Sequence, residues 1–301
     1  MSELDEKRRR NLLEKIKDAQ VIITCTEKLD IEKNKFLIYN KIMEVNILQN
    51  NWTDNLKTKI YGRNLKLFEI IESTNKKMIE DLNNGLNLQE GAVYIALKQT
   101  SGKGSYGNSW ASNNNLGLWL SVLLYSPFNK EVLTFLPCIA LTKLLRENYN
   151  IKAHIKWPND VLVGDKKISG TLIQIININN KNACIMGTGI NLYHNKNDFS
   201  SDIINKATSL FLETGIKIKL EEFYKEFIYY FEEIYLGEKK LIELFRENNE
   251  MIGKKIKAKK DGKEIEAFVK DITKEGYLKV EVNNIEEIWI SRASLDIDTF
   301  Y

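Results

Sequence analysis

Three short stretches of this sequence concentrate side chains that can handle anions. The first is Gln99-Thr100-Ser101-Gly102-Lys103-Gly104-Ser105-Tyr106-Gly107-Asn108-Ser109-Trp110. Its closely spaced glycines let the chain curl and aim backbone N–H groups inward, and Lys103 adds a positive charge. Such a loop can wrap a phosphate or a carboxylate. It is not the GxGxxG dinucleotide fingerprint, and it lacks the Gly-Lys-Ser/Thr ending of a P-loop. Taken alone, a plain flexible turn accounts for it too. The second stretch is Lys156-Trp157-Pro158-Asn159-Asp160, followed by Lys167-Ile168-Ser169-Gly170. An Asp at a strand end can hold Mg²⁺, a hard cation that prefers oxygen ligands. Lys156 and Lys167 can neutralise phosphate charge, and Pro158 fixes the turn that aims Asn159 and Asp160. A surface hairpin with incidental charges is the plain alternative. The third is Gly187-Thr188-Gly189-Ile190-Asn191. Its glycines allow a flat ligand to lie on bare backbone, and the Asn191 amide can read a nucleobase edge as donor and acceptor.

These stretches need elements to hold them. Residues 67–71 and 92–97 read as strands. Ser73 and Thr74 sit where a helix N-cap belongs, ahead of a helix over 75–82. Residues 116–125 form an apolar strand, and 131–147 carry apolar residues at helical spacing. Short β-branched strands follow at 153–156, 161–163, 168–178 and 183–190, with turn signals at Pro158-Asn159 and Gly164-Asp165. Residues 206–212 and 220–246 read as helices, the second with an apolar stripe of Phe223, Phe227, Tyr230, Phe231 and Ile234. Strands at 254–260, 264–269, 277–282 and 286–290, joined by glycine turns, have the pattern of a small β-barrel. The first 50 residues are charged and loosely patterned, with helices expected at 11–17 and 36–48.

Composition narrows the classes. Of 301 residues, 43% are hydrophobic and 3 are proline, which excludes a disordered or collagen-like chain. No apolar run approaches the roughly 18 residues of a membrane helix. Lys+Arg is 44 against 41 Asp+Glu, too balanced for a protein built on phosphate-backbone neutralisation. Cys25, Cys138 and Cys184 are far apart and form neither a disulfide framework nor a metal pair, so a reducing cytoplasmic setting is expected. His154 reads as structural. His194 has no second histidine at ligand spacing, so zinc is not expected.

Together, Glu72-Ser73-Thr74-Asn75, the glycine-rich loop, Lys156-Trp157-Pro158-Asn159-Asp160, Lys167-Ile168-Ser169-Gly170 and Gly187-Thr188-Gly189-Ile190-Asn191 resemble the biotin–protein ligase family in order and spacing. The resemblance covers residues 52–294. It implies an α+β fold: a mixed β-sheet catalytic domain of the biotin/lipoate ligase type over 52–249, then an SH3-like β-barrel over 250–301. Residues 1–51 are a short helical extension. It further implies that biotin and ATP, with Mg²⁺, form biotinyl-5'-AMP, and that the biotinyl group passes to a lysine of a biotin carboxyl carrier protein or carrier domain. By the same resemblance Lys167 contacts the biotin carboxylate and α-phosphate, while Lys103 and Lys156 contact phosphates. Ser73, Thr74 and Gln99 bond the polar rings of biotin. Gly102, Gly170 and Gly187 admit the ligand to bare backbone. Trp110 packs by the adenylate, Asn191 meets adenine, and Asn159 and Asp160 between them hold the adenine end and the metal-bound phosphates, with Asp160 the residue toward the metal.

The family's loop typically reads GRGRxGRxW. Here Lys103 keeps one basic position, while Ser105 and Asn108 replace the others. Fewer cations over the adenylate predict a less firmly held intermediate. Gln174 stands where the family often has glutamate. Some bacterial members carry a winged helix-turn-helix, but residues 1–51 lack a recognition helix, and Arg8-Arg9-Arg10 reads as a solvated helix start. DNA and membrane contacts are not expected, and both a monomer and a homodimer fit. The competing functions are a lipoate or octanoate ligase, a non-catalytic biotin-responsive regulator, and a degenerate paralogue.

Overall fold

The computed structural model describes residues 52–112, 115–125, 130–178, 181–237, 239–260, 263–289 and 295–300. The helices expected at 11–17 and 36–48, the Arg8-Arg9-Arg10 run and Cys25 lie outside them. The chain runs β1 (Leu65–Ile71), α1 (Thr74–Asn83), β2 (Val93–Gln99), a 3-10 turn at Ser105–Gly107, β3 (Gly117–Tyr125), α2 (Lys130–Leu133) and α3 (Phe135–Tyr149). It continues through β4 (Ala153–Lys156), β5 (Asp160–Val163), β6 (Lys166–Ile178), β7 (Lys181–Asn191), α4 (Leu210–Thr214), α5 (Leu220–Leu236) and α6 (Leu241–Asn248).

β1 to β7 form one mixed sheet in the order β1-β2-β3-β7-β6-β5-β4, with β1 and β2 parallel and the remaining pairs antiparallel. The run GLWLSVLLY of β3 is buried almost throughout, as a central strand covered on both faces must be. Alternation then splits its side chains. Leu118, Leu120, Val122 and Leu124 join the large core beneath α3 and α5. Trp119, Ser121 and Leu123 alternate with them, and Leu123 packs in a smaller core with Met78 and Leu82 of α1. The expected stripe of α5 is buried in the large core.

The C-terminal strands β8 (Lys255–Lys260), β9 (Lys263–Ile272), β10 (Leu278–Val282), β11 (Ile285–Trp289) and β12 (Leu295–Phe300) form an antiparallel sheet in the order β11-β10-β9-β8-β12. The expectation of an SH3-like β-barrel is corrected here. β11 and β12 are opposite edges, no pairing joins them among the described residues, and the sheet is open. Closure depends on strand tilt and register stagger, which turn signals and alternation do not specify. β12 was also absent from the sequence-based expectation.

Two helical expectations change as well. The helix expected over 220–246 is two, divided after Leu236 where Gly237 takes an extended conformation. The helix expected at 206–212 begins only at Leu210. Residues 206–208 instead bond the backbone of Lys167, with Lys167 N–H to the Lys206 carbonyl at 2.8 Å and Thr208 N–H to the Lys167 carbonyl at 2.9 Å. Tertiary pairing overrides local helical preference there. No helix among the described residues is long and apolar enough to cross a membrane.

Candidate active site

An open cleft of about 490 Å³, mouth included, lies between α1, the glycine-rich loop and strands β6 and β7. Ser73 caps α1 from an extended conformation, its Oγ accepting from Lys76 N–H at 3.5 Å. This turn faces Ser73 and Thr74 toward the cleft and brings Thr74 against Gln99 at the end of β2. Gln99 Oε1 accepts from the Thr74 backbone N–H at 2.9 Å, and Gln99 Nε2 donates to Ser112 Oγ at 3.2 Å. Ser112 in turn donates to the Trp110 carbonyl at 3.2 Å, fixing where the loop returns.

The opposite wall carries charge. Lys167 Nζ is 2.7 Å from Asp160 Oδ1 and 5.1 Å from the Trp110 ring centroid. The Trp110 indole packs against β6 at Gly170 and against β7 at Gly189. A side chain at Gly189 would collide with the indole nitrogen, and one at Gly170 would press on both the indole and the Lys167 amine. The expected seat for a flat ligand on bare backbone is therefore covered by Trp110 at Gly189. At Gly187 it is covered by the Asn75 amide, which an added side chain would strike.

Ser73, Thr74, Gln99, Lys103, Trp110, Asn159, Lys167, Gly170 and Gly187 all line the cleft. Gly102, Lys156, Asp160 and Asn191 stand outside the lining. Gly102 is buried behind the loop, against Ser112 and the Trp110 carbonyl. Lys156 is half-buried opposite Asp160 in the β4–β5 register. Asp160 is buried and faces Lys167. The Asn191 amide donates to the Thr208 carbonyl at 3.0 Å, tying β7 to the segment before α4.

Sequence reasoning placed Asn75 in a motif without giving it a role, and it missed Ser112 and Ser121. Ser121 had a visible signal, a lone hydroxyl inside an otherwise apolar strand. Gln174 gains a partner, since its Oε1 accepts from Asn75 Nδ2 at 3.0 Å. Ser105 gains one too, its Oγ accepting from Asn159 Nδ2 at 2.9 Å, while the same amide donates to the Thr171 carbonyl at 2.7 Å. That leaves Asn159 Oδ1 as a buried acceptor, and the Trp110 indole N–H as a buried donor, without partners among the described residues. Buried polar groups of this kind normally meet a partner, water included.

An aromatic row runs inward from the cleft: Trp110 to Trp119 at 6.4 Å, Trp119 to His194 at 6.1 Å, and His194 stacked on Phe199 at 4.8 Å. Burial pushes the His194 imidazole down to about 4. The ring is therefore neutral at pH 7 and packs as part of the wall behind Trp119. Cys138 is buried under β6, and burial pushes its thiol up to about 12, which leaves it no nucleophilic role.

Residues 67–191 match the model of the biotin/lipoate A/B protein ligase family. Through this segment the chain is similar to that family. The bifunctional ligase/repressor BirA of Bacillus subtilis is 36% identical over 167 residues, spanning 54% of this chain and 51% of that protein. The bifunctional ligase/repressor BirA of Escherichia coli is 27% identical over 161 residues, or 52% of this chain and 49% of that one. The chain thus spans about half the length of these curated relatives. A biotin protein ligase from Aquifex aeolicus, solved with biotin and ATP, shares the fold at a TM-score of 0.65 and 23% identity, covering 78% of this chain and 98% of that one. The segment matched to the ligase family contains the glycine-rich loop, Lys156 to Asp160, Lys167 to Gly170 and Gly187 to Asn191, and it begins just before the Ser73 cap.

Proposed function

We propose that the chain is an ATP-dependent biotin–protein ligase, with residues 52–249 as its catalytic part and 250–301 as a closing module. A carboxylate oxygen of biotin attacks the α-phosphorus of ATP, pyrophosphate leaves, and biotinyl-5'-AMP forms. The uncharged ε-amine of a carrier-domain lysine then attacks the carbonyl carbon of this mixed anhydride. AMP leaves and the amine's surplus proton passes to solvent.

The observation that carries this reading is the meeting, in one cleft, of Lys167 with the wall of Ser73, Thr74 and Gln99. The first step brings two anions together. Lys167 turns from Asp160 toward them and offsets their repulsion, which grows as charge gathers on the phosphate. Lys103, exposed on the loop, meets phosphate at the mouth. The Asn159 Oδ1 acceptor suits the exocyclic amine of adenine. The loop and Trp110 cover the anhydride and keep water from it.

Mg²⁺ belongs to the reading only as a counter-ion carried on ATP. Asp160 already faces an ammonium, and no group of three or more His, Cys, Asp and Glu side chains is gathered for a metal among the described residues. The partner is a carrier domain of a biotin-dependent carboxylase, met by a monomer or homodimer in the reducing cytoplasm, with no DNA or membrane contact.

The test is ATP-dependent transfer of labelled biotin to a purified apo carrier domain, with pyrophosphate exchange reporting the first step. Lipoate and octanoate run in parallel. Lys167→Ala is expected to lower exchange by roughly 10²–10³-fold, the usual effect of removing a group that stabilises developing charge. Absence of exchange and transfer in the folded wild-type protein would remove the ligase reading. Transfer of lipoate in preference to biotin would replace it with the competing one.

A further inference from the structure

Ser121 is fully buried in β3, and its hydroxyl lies 2.5 Å from Asn75 Oδ1 and 2.7 Å from Thr74 Oγ1. It has one proton for two neighbours. The Asn75 amide decides where that proton goes. Asn75 Nδ2 faces the Leu172 carbonyl at 3.3 Å and Gln174 Oε1 at 3.0 Å. A backbone carbonyl only accepts, so the nitrogen and not the oxygen of Asn75 points at β6. Oδ1 therefore faces Ser121, and two oxygens 2.5 Å apart need a proton between them. Ser121 donates to Asn75.

The consequence moves one residue further. The 2.7 Å contact between Ser121 and Thr74 now needs the Thr74 proton. Gln99 Oε1, at 3.2 Å from Thr74 Oγ1 against 2.7 Å for Ser121, is the more distant claimant. The Thr74 hydroxyl is left with lone pairs only on the side that lines the cleft. Beside it, Gln99 Nε2 spends one N–H on Ser112 and keeps a second.

We propose that Ser121 is a positioning residue that makes Thr74 an obligate hydrogen-bond acceptor, so that the wall demands an N–H from the ligand next to a carbonyl. A cyclic urea presents that pair. A dithiolane ring or an alkyl chain presents neither and leaves the Thr74 lone pair on the cleft side unpaired. The inference rests on reading the cleft as a biotin site and adds how that site tells ligands apart.

The probes are biotin and two cyclic carbamate analogues, each with one ureido N–H replaced by a ring oxygen, titrated calorimetrically. In the wild type one carbamate meets the Thr74 lone pairs head-on, and it is expected to bind on the order of 100-fold more weakly than biotin. Ser121→Ala leaves the Thr74 proton to divide between Gln99 Oε1 at 3.2 Å and the carbamate oxygen, so the gap should narrow to below about 30-fold. Asn75→Ala lets Ser121 donate to Thr74 instead and should give the same gain. Thr74→Val, with no proton to offer, should not. A gain of binding is a result that mere damage to the fold does not produce. A wild type that binds both carbamates as well as biotin overturns the proposal, and so does an unmoved gap in both Ser121→Ala and Asn75→Ala. Failure of biotin to bind the wild type would instead remove the ligase reading, and this proposal with it.

Discussion

At the residue scale the departures from the family loop acquire partners. Ser105 occupies a position where a basic side chain is usual, but its hydroxyl accepts from Asn159 and so ties the loop to the β4–β5 turn. A neutral hydrogen bond holds the loop at a point where a cation would hold the adenylate itself. On the proposed ligase reading, Ser105→Ala is expected to release biotinyl-5'-AMP faster, by roughly 3- to 10-fold for one lost hydrogen bond. Ser105→Arg should release it more slowly than wild type. Equal off-rates across the three proteins would discard the idea that this position governs retention. His194 offers a second residue-level prediction. Its ring is neutral in the fold down to about pH 4, whereas an unfolded histidine takes up its proton near pH 6.5. Between these values the unfolded chain binds more protons, so stability falls as pH drops from 6.5 to 4 and this contribution then levels off. The loss is on the order of 3 kcal/mol. His194→Phe keeps the stacked partner for Phe199 and should flatten that part of the stability–pH curve. Denaturant melts at pH 7 and pH 4.5 measure it, and an unchanged slope would exclude His194 as the source.

At the element scale, single carboxylates and glycines decide how segments meet. Glu232 of α5 is buried and accepts from the backbone N–H groups of Lys59, Ile60 and Tyr61 at 2.5, 2.7 and 2.9 Å. It seats the segment leading into β1, the first strand of the sheet that frames the cleft. Charge-assisted bonds of this kind are stronger than neutral ones. Glu232→Gln keeps the shape but exchanges an acceptor oxygen for a donor facing donors, and should cost about 2 kcal/mol of stability. Chemical denaturation with an unchanged midpoint would show that the segment is seated by packing with Tyr61 alone. The glycines of β7 work in the opposite sense. Their absent side chains make room for Asn75 and Trp110, which come from distant parts of the chain.

At the scale of the whole molecule, the open C-terminal sheet is fastened to the sheet that bears the cleft. The Trp157 indole N–H donates to the Gly276 carbonyl at 3.0 Å, and its backbone N–H meets the Met251 sulfur at 3.2 Å. Arg246 of α6 clasps Asp271 of β9 at 2.7 and 2.9 Å. Trp157 lies three residues from Asp160, so the turn that positions the Lys167 counter-ion is braced by the second sheet. Trp157→Phe should cost about 1 kcal/mol and raise amide exchange in β10 more than in β2. Uniform exchange across both sheets would mean that they open as one unit.

Much of this was legible in the residue order. The Ser73 cap and the apolar runs of β2 and β3 are local signals, because helix and strand periods are set by backbone geometry within a few residues. The same locality made the glycine-rich loop and the cluster from Lys156 to Lys167 stand out as anion-handling chemistry. The open edge between β11 and β12, the break after Leu236 and the pairing of 206–208 with Lys167 were not legible, since each depends on which segments the packed core brings within hydrogen-bond reach. Ser121 makes the distinction plain. The sequence by itself determined that one hydroxyl sits inside an apolar strand. Only the tertiary structure decided that it faces Asn75 and Thr74, because the direction of a hydrogen bond is set by what lies across the gap and not by what lies next in the chain.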